Sequence, residues 1–258
     1  MRNSLAKIVL AGSLISLSPI KSECQNFDFE GKERERFGEI KEFVESEGFN
    51  SDYLMSPKRF SIYNHIEETF EGSPESTNPS LDEYKEILGF EDKKEKIVPF
   101  TKKYEEELRS AESKYGIDKE IISATLGVES EFGSVTGNYN PFEAYVSMYV
   151  DGYRKEFAKR QLEALLEFSE RKNLDVLDLK SSYAGAMGYG QLIPSSVNAY
   201  FVGDDLYDME DNINSVANYY AKNREETLYE TILNYNPDSN YANSVIDLAK
   251  YAEENFKE

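Results

Sequence analysis

The chain has 258 residues, with 29 Lys+Arg against 49 Asp+Glu, so its formal net charge is −20. That balance repels polyphosphate and lacks a basic patch for anionic membrane, which argues against nucleic acid and lipid surfaces as partners. One Cys (Cys24) and one His (His65) exclude a disulfide framework and a Cys/His zinc site, and 40% hydrophobic residues exclude wholesale disorder. Carboxylates are left as the agents of any chemistry.

The N-terminus reads as an export signal. Arg2 and Lys7 precede an apolar run, Ile8 to Leu17, that stops at Pro19 and polar Lys21-Ser22-Glu23-Cys24. Such a run is too short to span a bilayer, whereas about ten residues fit a secretory h-region. Residues 1–23 are therefore expected to be a secretion signal that delivers the chain to the periplasm or cell envelope. Cys24 stands where a lipoprotein would carry its lipid, although Lys21-Ser22-Glu23 is a poor lipobox. A buried N-terminal helix is the alternative.

The remainder reads as mainly α. Phe37–Glu47 places Ile40, Phe43 and Val44 at helical spacing, and Gly48 ends the stretch. Gly72–Ser80, with two prolines, reads as a loop. Ile97–Tyr115 carries Phe100, Tyr104, Leu108 and Ala111 on one face. Asp118–Phe132 follows with Asp118 as N-cap and Gly133 as terminator. Further helices are expected over Arg154–Lys172, Asn212–Asn223, Glu225–Leu233 and Asn240–Asn255. Alternating patterns are scarce, leaving room only for a small irregular or two-stranded insertion.

Two stretches stand out chemically. On a wheel of about 100° per residue, Glu129 of GVESEFG (127–133) falls in the apolar stripe of Ile121, Ile122, Thr125, Val128 and Phe132, while Glu131 falls opposite it. Desolvation and the helix C-terminus both favour the protonated form of an inward carboxyl, as a general acid requires. A structural pairing with a buried Arg or backbone amides is the competing reading. The second stretch is SYAGAMGYGQLIPSS (182–196). Its G-x-x-G-x-G spacing, with no preceding strand and no following Lys, fits neither a dinucleotide nor a phosphate loop. Either its glycines let backbone approach a bulky ligand, with Gln191 and the serines bonding sugar groups, or they form a packed turn. With no Trp, the 19 Tyr would have to supply flat faces for sugar rings. His65 has no nucleophile motif beside it and reads as an ordinary histidine.

GVESEFG, SYAGAMGYGQLIPSS, SVANYY (215–220) and NYNPDSNYANSVIDLA (234–249), in that order, resemble the MltB family of lytic murein transglycosylases. The similarity extends upstream through Tyr115-Gly116-Ile117 to about Phe43. It implies a lysozyme-like catalytic core embedded in an elongated helical protein, with an N-terminal helical lobe over 25–98 and the core with C-terminal helices over 99–258. It further implies cleavage of the MurNAc-β-1,4-GlcNAc bond of peptidoglycan with formation of 1,6-anhydroMurNAc, and it places the catalytic acid/base at Glu129. No other Asp or Glu lies in the GAMGYGQ block, consistent with the substrate's own 2-acetamido group relieving charge in place of a second carboxylate. Matched positions imply substrate roles for Ser182, Gln191, Tyr219 and Tyr235, and by longer alignment for Tyr84 and Arg154. Tyr235 would orient Glu129 or line the cleft; a capping or core role is the alternative for Tyr219. The implied partner is the peptidoglycan glycan strand, with cell-envelope machinery beyond it, and the chain is expected to act as a monomer without a cofactor.

One interval departs from the family. Where its members carry an EF-hand-like calcium loop, this chain has VNAYFVGDDLYDMEDNIN, which is shorter and lacks the Asp-x-Asp-x-Asp-Gly ladder. Asp204, Asp205, Asp208 and Asp211 are expected to form a solvated acidic turn, and no structural calcium is expected. The negative charge is also unusual for a protein that meets an anionic wall, so recognition should rest on contacts at the cleft. Two other readings stay open: a muramidase that hydrolyses the same bond, and a non-catalytic wall-binding protein.

Overall fold

The computed structural model describes residues 29–64, 66–71 and 78–256. The export segment, Cys24, His65 and most of the 72–80 loop lie outside them. In chain order the helices are α1 (Gly31–Ser46), α2 (Ser51–Leu54), α3 (Ile66–Glu71), α4 (Leu81–Leu88), α5 (Phe90–Lys103), α6 (Glu105–Tyr115) and α7 (Lys119–Ser130). They continue as α8 (Pro141–Asp151), α9 (Lys155–Lys172), α10 (Pro194–Tyr200), α11 (Met209–Lys222), α12 (Leu228–Tyr235) and α13 (Ser239–Asn255). The mainly α expectation holds. In place of the allowed two-stranded insertion the described residues show isolated antiparallel bridges, among them Tyr139–Ser181, Ser181–Met187 and Met187–Leu192.

The centre of the molecule is α7, which α13, α5, α11 and α6 all pack against. Every side chain from Ile121 to Ser130 is buried. α8 is equally enclosed, buried from Pro141 to Val150 between α1, α3 and α9. Local signals start and stop α8: Asn140 accepts from the Glu143 N–H at 3.1 Å, Pro141 sits in the first turn, and Gly152 takes the left-handed conformation. Having no polar face, it shows no helical period in sequence, and the sequence reading passes over it.

The helix expected over Ile97–Tyr115 is two helices. The chain bends at Tyr104 (φ −112°, ψ 32°), which separates α5 from α6. The bend costs little hydrogen bonding, because the Tyr104 N–H still reaches Phe100 O and the Leu108 N–H reaches Tyr104 O. Two features promote it. Pro99 removes a donor inside α5, and Glu105, Glu106 and Glu107 favour a fresh helix N-terminus. The position between 98 and 99, where the lobe was expected to meet the core, lies within α5. Among the described residues a hydrophobic core runs from Ile40 to Ala252.

Candidate active site

The C-terminal turn of α7 carries Glu129 and is shaped by its neighbours. Glu131 and Phe132 both adopt left-handed backbone (φ 48° and 59°), so the helix ends at Ser130, ahead of the expected terminator Gly133. The reversal folds the Phe132 ring back over the helix: a Cβ at Gly127 would lie 2.5 Å from Phe132 Cζ. GVESEFG is thus one local unit whose glycine at 127 makes room for its own phenylalanine. Glu131 points outward as expected, with Lys96 Nζ at 3.3 Å and Lys93 Nζ at 3.8 Å. Burial holds the Lys93 ammonium below its usual pKa, and Glu131 opposes that shift.

Glu129 points inward, with 0% of its surface exposed. The Tyr241 hydroxyl, from the first turn of α13, donates to its Oε1 at 2.6 Å. Tyr220 on α11 lies 2.9 Å, hydroxyl to hydroxyl, from Thr125, one turn before Glu129 on the same face. Thr125 gives its only proton to Ile121 O, so Tyr220 is the donor in that pair. Burial first, and then the Glu129 charge, push the Tyr235 and Tyr241 phenols well above their usual range. These hydroxyls therefore stay protonated donors at any working pH. A carboxyl that accepts from a neutral phenol O–H can hold or release a proton, as a general acid/base needs.

Beside this cluster lies a pocket of about 430 Å³ whose wall includes Phe157, Gln161, Gln191, Tyr219, Asn234 and Tyr235. Three residues singled out from sequence thus come together here. Tyr235 donates to Gly190 O, and its ring packs edge-on to Tyr219 with centroids 4.6 Å apart. Tyr219 donates to Asn234 O at 2.7 Å, and burial pushes its phenol up to about 12. Gln191 holds left-handed backbone (φ 49°) and donates to Gly188 O at 2.8 Å. Tyr235 joins the two regions, since it lines the pocket and also feels the Glu129 charge.

The other three predicted residues stand outside the pocket wall. Ser182 closes the turn before GAMG: its Oγ accepts from the Ala186 N–H and its own N–H donates to Ala186 O. The Arg154 guanidinium lies 4.4 Å over the Phe157 ring, whose side chain is in the wall. Tyr84 is buried in α4, which packs on α13, the helix that carries Tyr241.

The glycine block takes the packed-turn alternative. A Cβ at Gly185 would collide with the Tyr145 ring, and one at Gly188 would lie 2.8 Å from Leu206 O. At Gly190 it would meet Tyr235 Oη and Val216 at 3.1 Å. These glycines admit protein side chains and backbone, not a ligand. Asn212 fixes the block by accepting from the Tyr189 and Gly190 N–H groups at 2.8 and 3.0 Å. Sequence reasoning missed Asn212, Tyr220 and Tyr241. For Tyr220 the available cue was the second tyrosine of SVANYY, on the apolar side of α11.

In the shortened interval the aspartates serve the backbone. Asp211 Oδ2 accepts from the N–H groups of Asp204 and Asp205 at 2.8 and 2.9 Å. Asp208 caps α11 by accepting from the Asp211 N–H, Asp205 accepts from the Tyr207 N–H, and Asp204 pairs with Lys172.

Comparison with known proteins bears on what such a site is for. Membrane-bound lytic murein transglycosylase B of Escherichia coli K12 is 40% identical over 130 residues, which are 48% of this chain and 36% of that protein. The chain therefore spans about a third of the length of that relative. Two solved structures share the fold. The E. coli lytic transglycosylase Slt35 in complex with calcium superposes with a TM-score of 0.75 at 21% identity, over 95% of this chain and 98% of that one. SltB3 of Pseudomonas aeruginosa in complex with NAG-anhNAM-pentapeptide gives a TM-score of 0.75 at 18% identity, over 86% and 80%. The transglycosylase SLT domain model matches residues 32–227, and the chain belongs to that family, as the four sequence blocks led us to expect.

Proposed function

We propose that this chain is a peptidoglycan lytic transglycosylase in which Glu129 is the sole acid/base. The observation that carries the reading is an inward carboxyl that accepts from the Tyr241 hydroxyl, beside a pocket whose wall holds no carboxylate among the described residues. A two-carboxylate glycosidase needs its second acid within about 5–10 Å of the first, across the scissile bond. Here the wall offers phenol, amide and hydroxyl groups, suited to sugar hydroxyls and acetamides. In the proposed reaction Glu129 gives its proton to the glycosidic oxygen as the C1–O bond breaks, and the substrate's 2-acetamido group relieves the charge at C1. The carboxylate then takes the proton of the muramyl 6-hydroxyl while O6 bonds to C1. Nothing is added, and the new end is 1,6-anhydroMurNAc.

Ser182, Gln191, Tyr219, Tyr235, Tyr84 and Arg154 are proposed to serve the substrate, Gln191, Tyr219 and Tyr235 directly from the pocket wall. The substrate is the peptidoglycan strand, and residues 1–23 would deliver the chain to the periplasm or envelope. No helix among the described residues is long and apolar enough to cross a membrane. Mass spectrometry of soluble products from purified sacculi tests the reading. Anhydromuramyl products support it. Reducing-end products, heavier by one water, would make the chain a muramidase.

Two further results follow. Tyr241→Phe strands a buried acceptor, at a cost of about 1–3 kcal/mol. We expect kcat to fall about ten-fold with KM nearly unchanged; a change confined to KM would put Tyr241 in substrate binding instead. For the acidic turn, calorimetric titration with calcium chloride should give no tight stoichiometric binding, because Asp205, Asp208 and Asp211 already accept backbone N–H groups. Tight one-to-one binding would overturn this.

A further inference from the structure

The pocket beside Glu129 has an electrostatic character at odds with the chain as a whole. Acids outnumber bases by 49 to 29 in the sequence, yet among the described residues the wall contains no acid and one base, Arg160. Arg160 projects from α9 on the same side as Phe157 and Gln161, both in the wall. Gln161 is itself fixed, since its Oε1 accepts from the Ser195 N–H at 3.0 Å. Acidic residues stand at helical spacing on either side, Glu156 one turn before and Glu163 one turn after. Neither forms an ion pair with Arg160, whereas on the same helix Lys155 pairs with Glu39 and Arg171 with Glu167. Arg160 is thus an exposed guanidinium left over at the rim of a neutral pocket, in a protein with acid to spare.

We propose that Arg160 is a specificity residue that reads a carboxylate carried by the sugar bound in this pocket. The planar guanidinium presents paired N–H donors that match a carboxylate, and a neutral pocket wall leaves that charge unneutralised. The attraction acts at contact range, so it reconciles an acidic protein with an anionic polymer without long-range steering. The proposal rests on the reading of the pocket as a glycan site. Two sources supply the carboxylate in peptidoglycan: the lactyl group of an unsubstituted muramic acid, and the side or terminal carboxylates of an attached stem peptide.

The test is equilibrium binding, which does not depend on turnover. Three GlcNAc–MurNAc disaccharides are titrated into the full chain by calorimetry: one with a free lactyl carboxylate, one with a stem peptide, and one with the lactyl group as carboxamide. The expected result is that at least one carboxylate form binds about five-fold or more tightly than the carboxamide, and that Arg160→Gln removes this preference while leaving carboxamide affinity unchanged. Arg160→Lys should retain part of it. Which of the two acidic forms loses affinity identifies the source. Equal binding of all three by wild type, absence of binding, or an equal loss across all three in Arg160→Gln would overturn the proposal. Loss of anhydro products with the binding pattern intact would overturn the catalytic reading alone.

Discussion

Glu129→Gln is expected to reduce release of anhydromuramyl products by about 10³-fold or more while leaving the protein folded and at least as stable. The activity loss follows from the proposed role: general acid–base catalysis contributes about 10²–10⁴-fold, and in the proposed reaction one group performs both proton transfers. Gln retains the volume of Glu and an oxygen to accept from Tyr241, so packing at the end of α7 should persist. Stability should rise, because a fully buried ionisable group is costly relative to a neutral isostere. A gain of up to about 2 kcal/mol would raise Tm by roughly 2–8 °C in a chain of this size. The paired measurement is a thermal melt beside product mass spectrometry on sacculi. A variant that melts as wild type and still cleaves within ten-fold of its rate would remove Glu129 from the mechanism. A lower Tm would instead mean that the carboxylate is a structural partner, the competing reading of this helix from sequence.

How far sequence carries the argument depends on the distance over which each feature is determined. The direction of Glu129 and Glu131 was legible because a single amphipathic turn fixes it, and the structure places one inside and the other against Lys93 and Lys96. The glycines were legible as close approaches, but what approaches them is Tyr145, Leu206 and Tyr235, far away in sequence. Tyr241 was not legible as the partner of Glu129, since 112 residues separate them and the pairing exists only because α13 lies along α7. α8 was missed for the opposite reason to a loop: it is buried all round, so hydrophobic periodicity has nothing to contrast. The bend at Tyr104 was missed because the apolar stripe continues through it, from Phe100 to Leu108 and Ala111.

Gly137→Ala should be among the most damaging single-methyl changes, with loss of both stability and activity. Gly137 has φ 86°, and its missing Cβ would coincide with the Ser181 carbonyl and lie 2.7 Å from Ser182 N. Left-handed backbone costs an alanine about 1 kcal/mol, and overpacking against backbone that cannot rotate away adds about 1–3 kcal/mol. The sum predicts a Tm lower by roughly 5–15 °C. The damage should not stay local. Ser181 is bridged to Tyr139 on one side and to Met187 on the other, and Met187 is bridged to Leu192, next to Gln191 in the pocket wall. Displacing Ser181 therefore moves Ser182 and, through one chain of bridges, Gln191. We expect kcat/KM to fall at least ten-fold at temperatures where the variant remains fully folded. Gly38→Ala is the control, because it sits inside α1 with nothing within 4 Å of its Cβ position. There the same methyl should stabilise by about 0.5–1 kcal/mol and leave activity unchanged. If the two variants lose activity alike, the bridge chain from Tyr139 to Leu192 does not position the pocket. If Gly137→Ala alone loses it while still folded, the bridge chain does position the pocket wall.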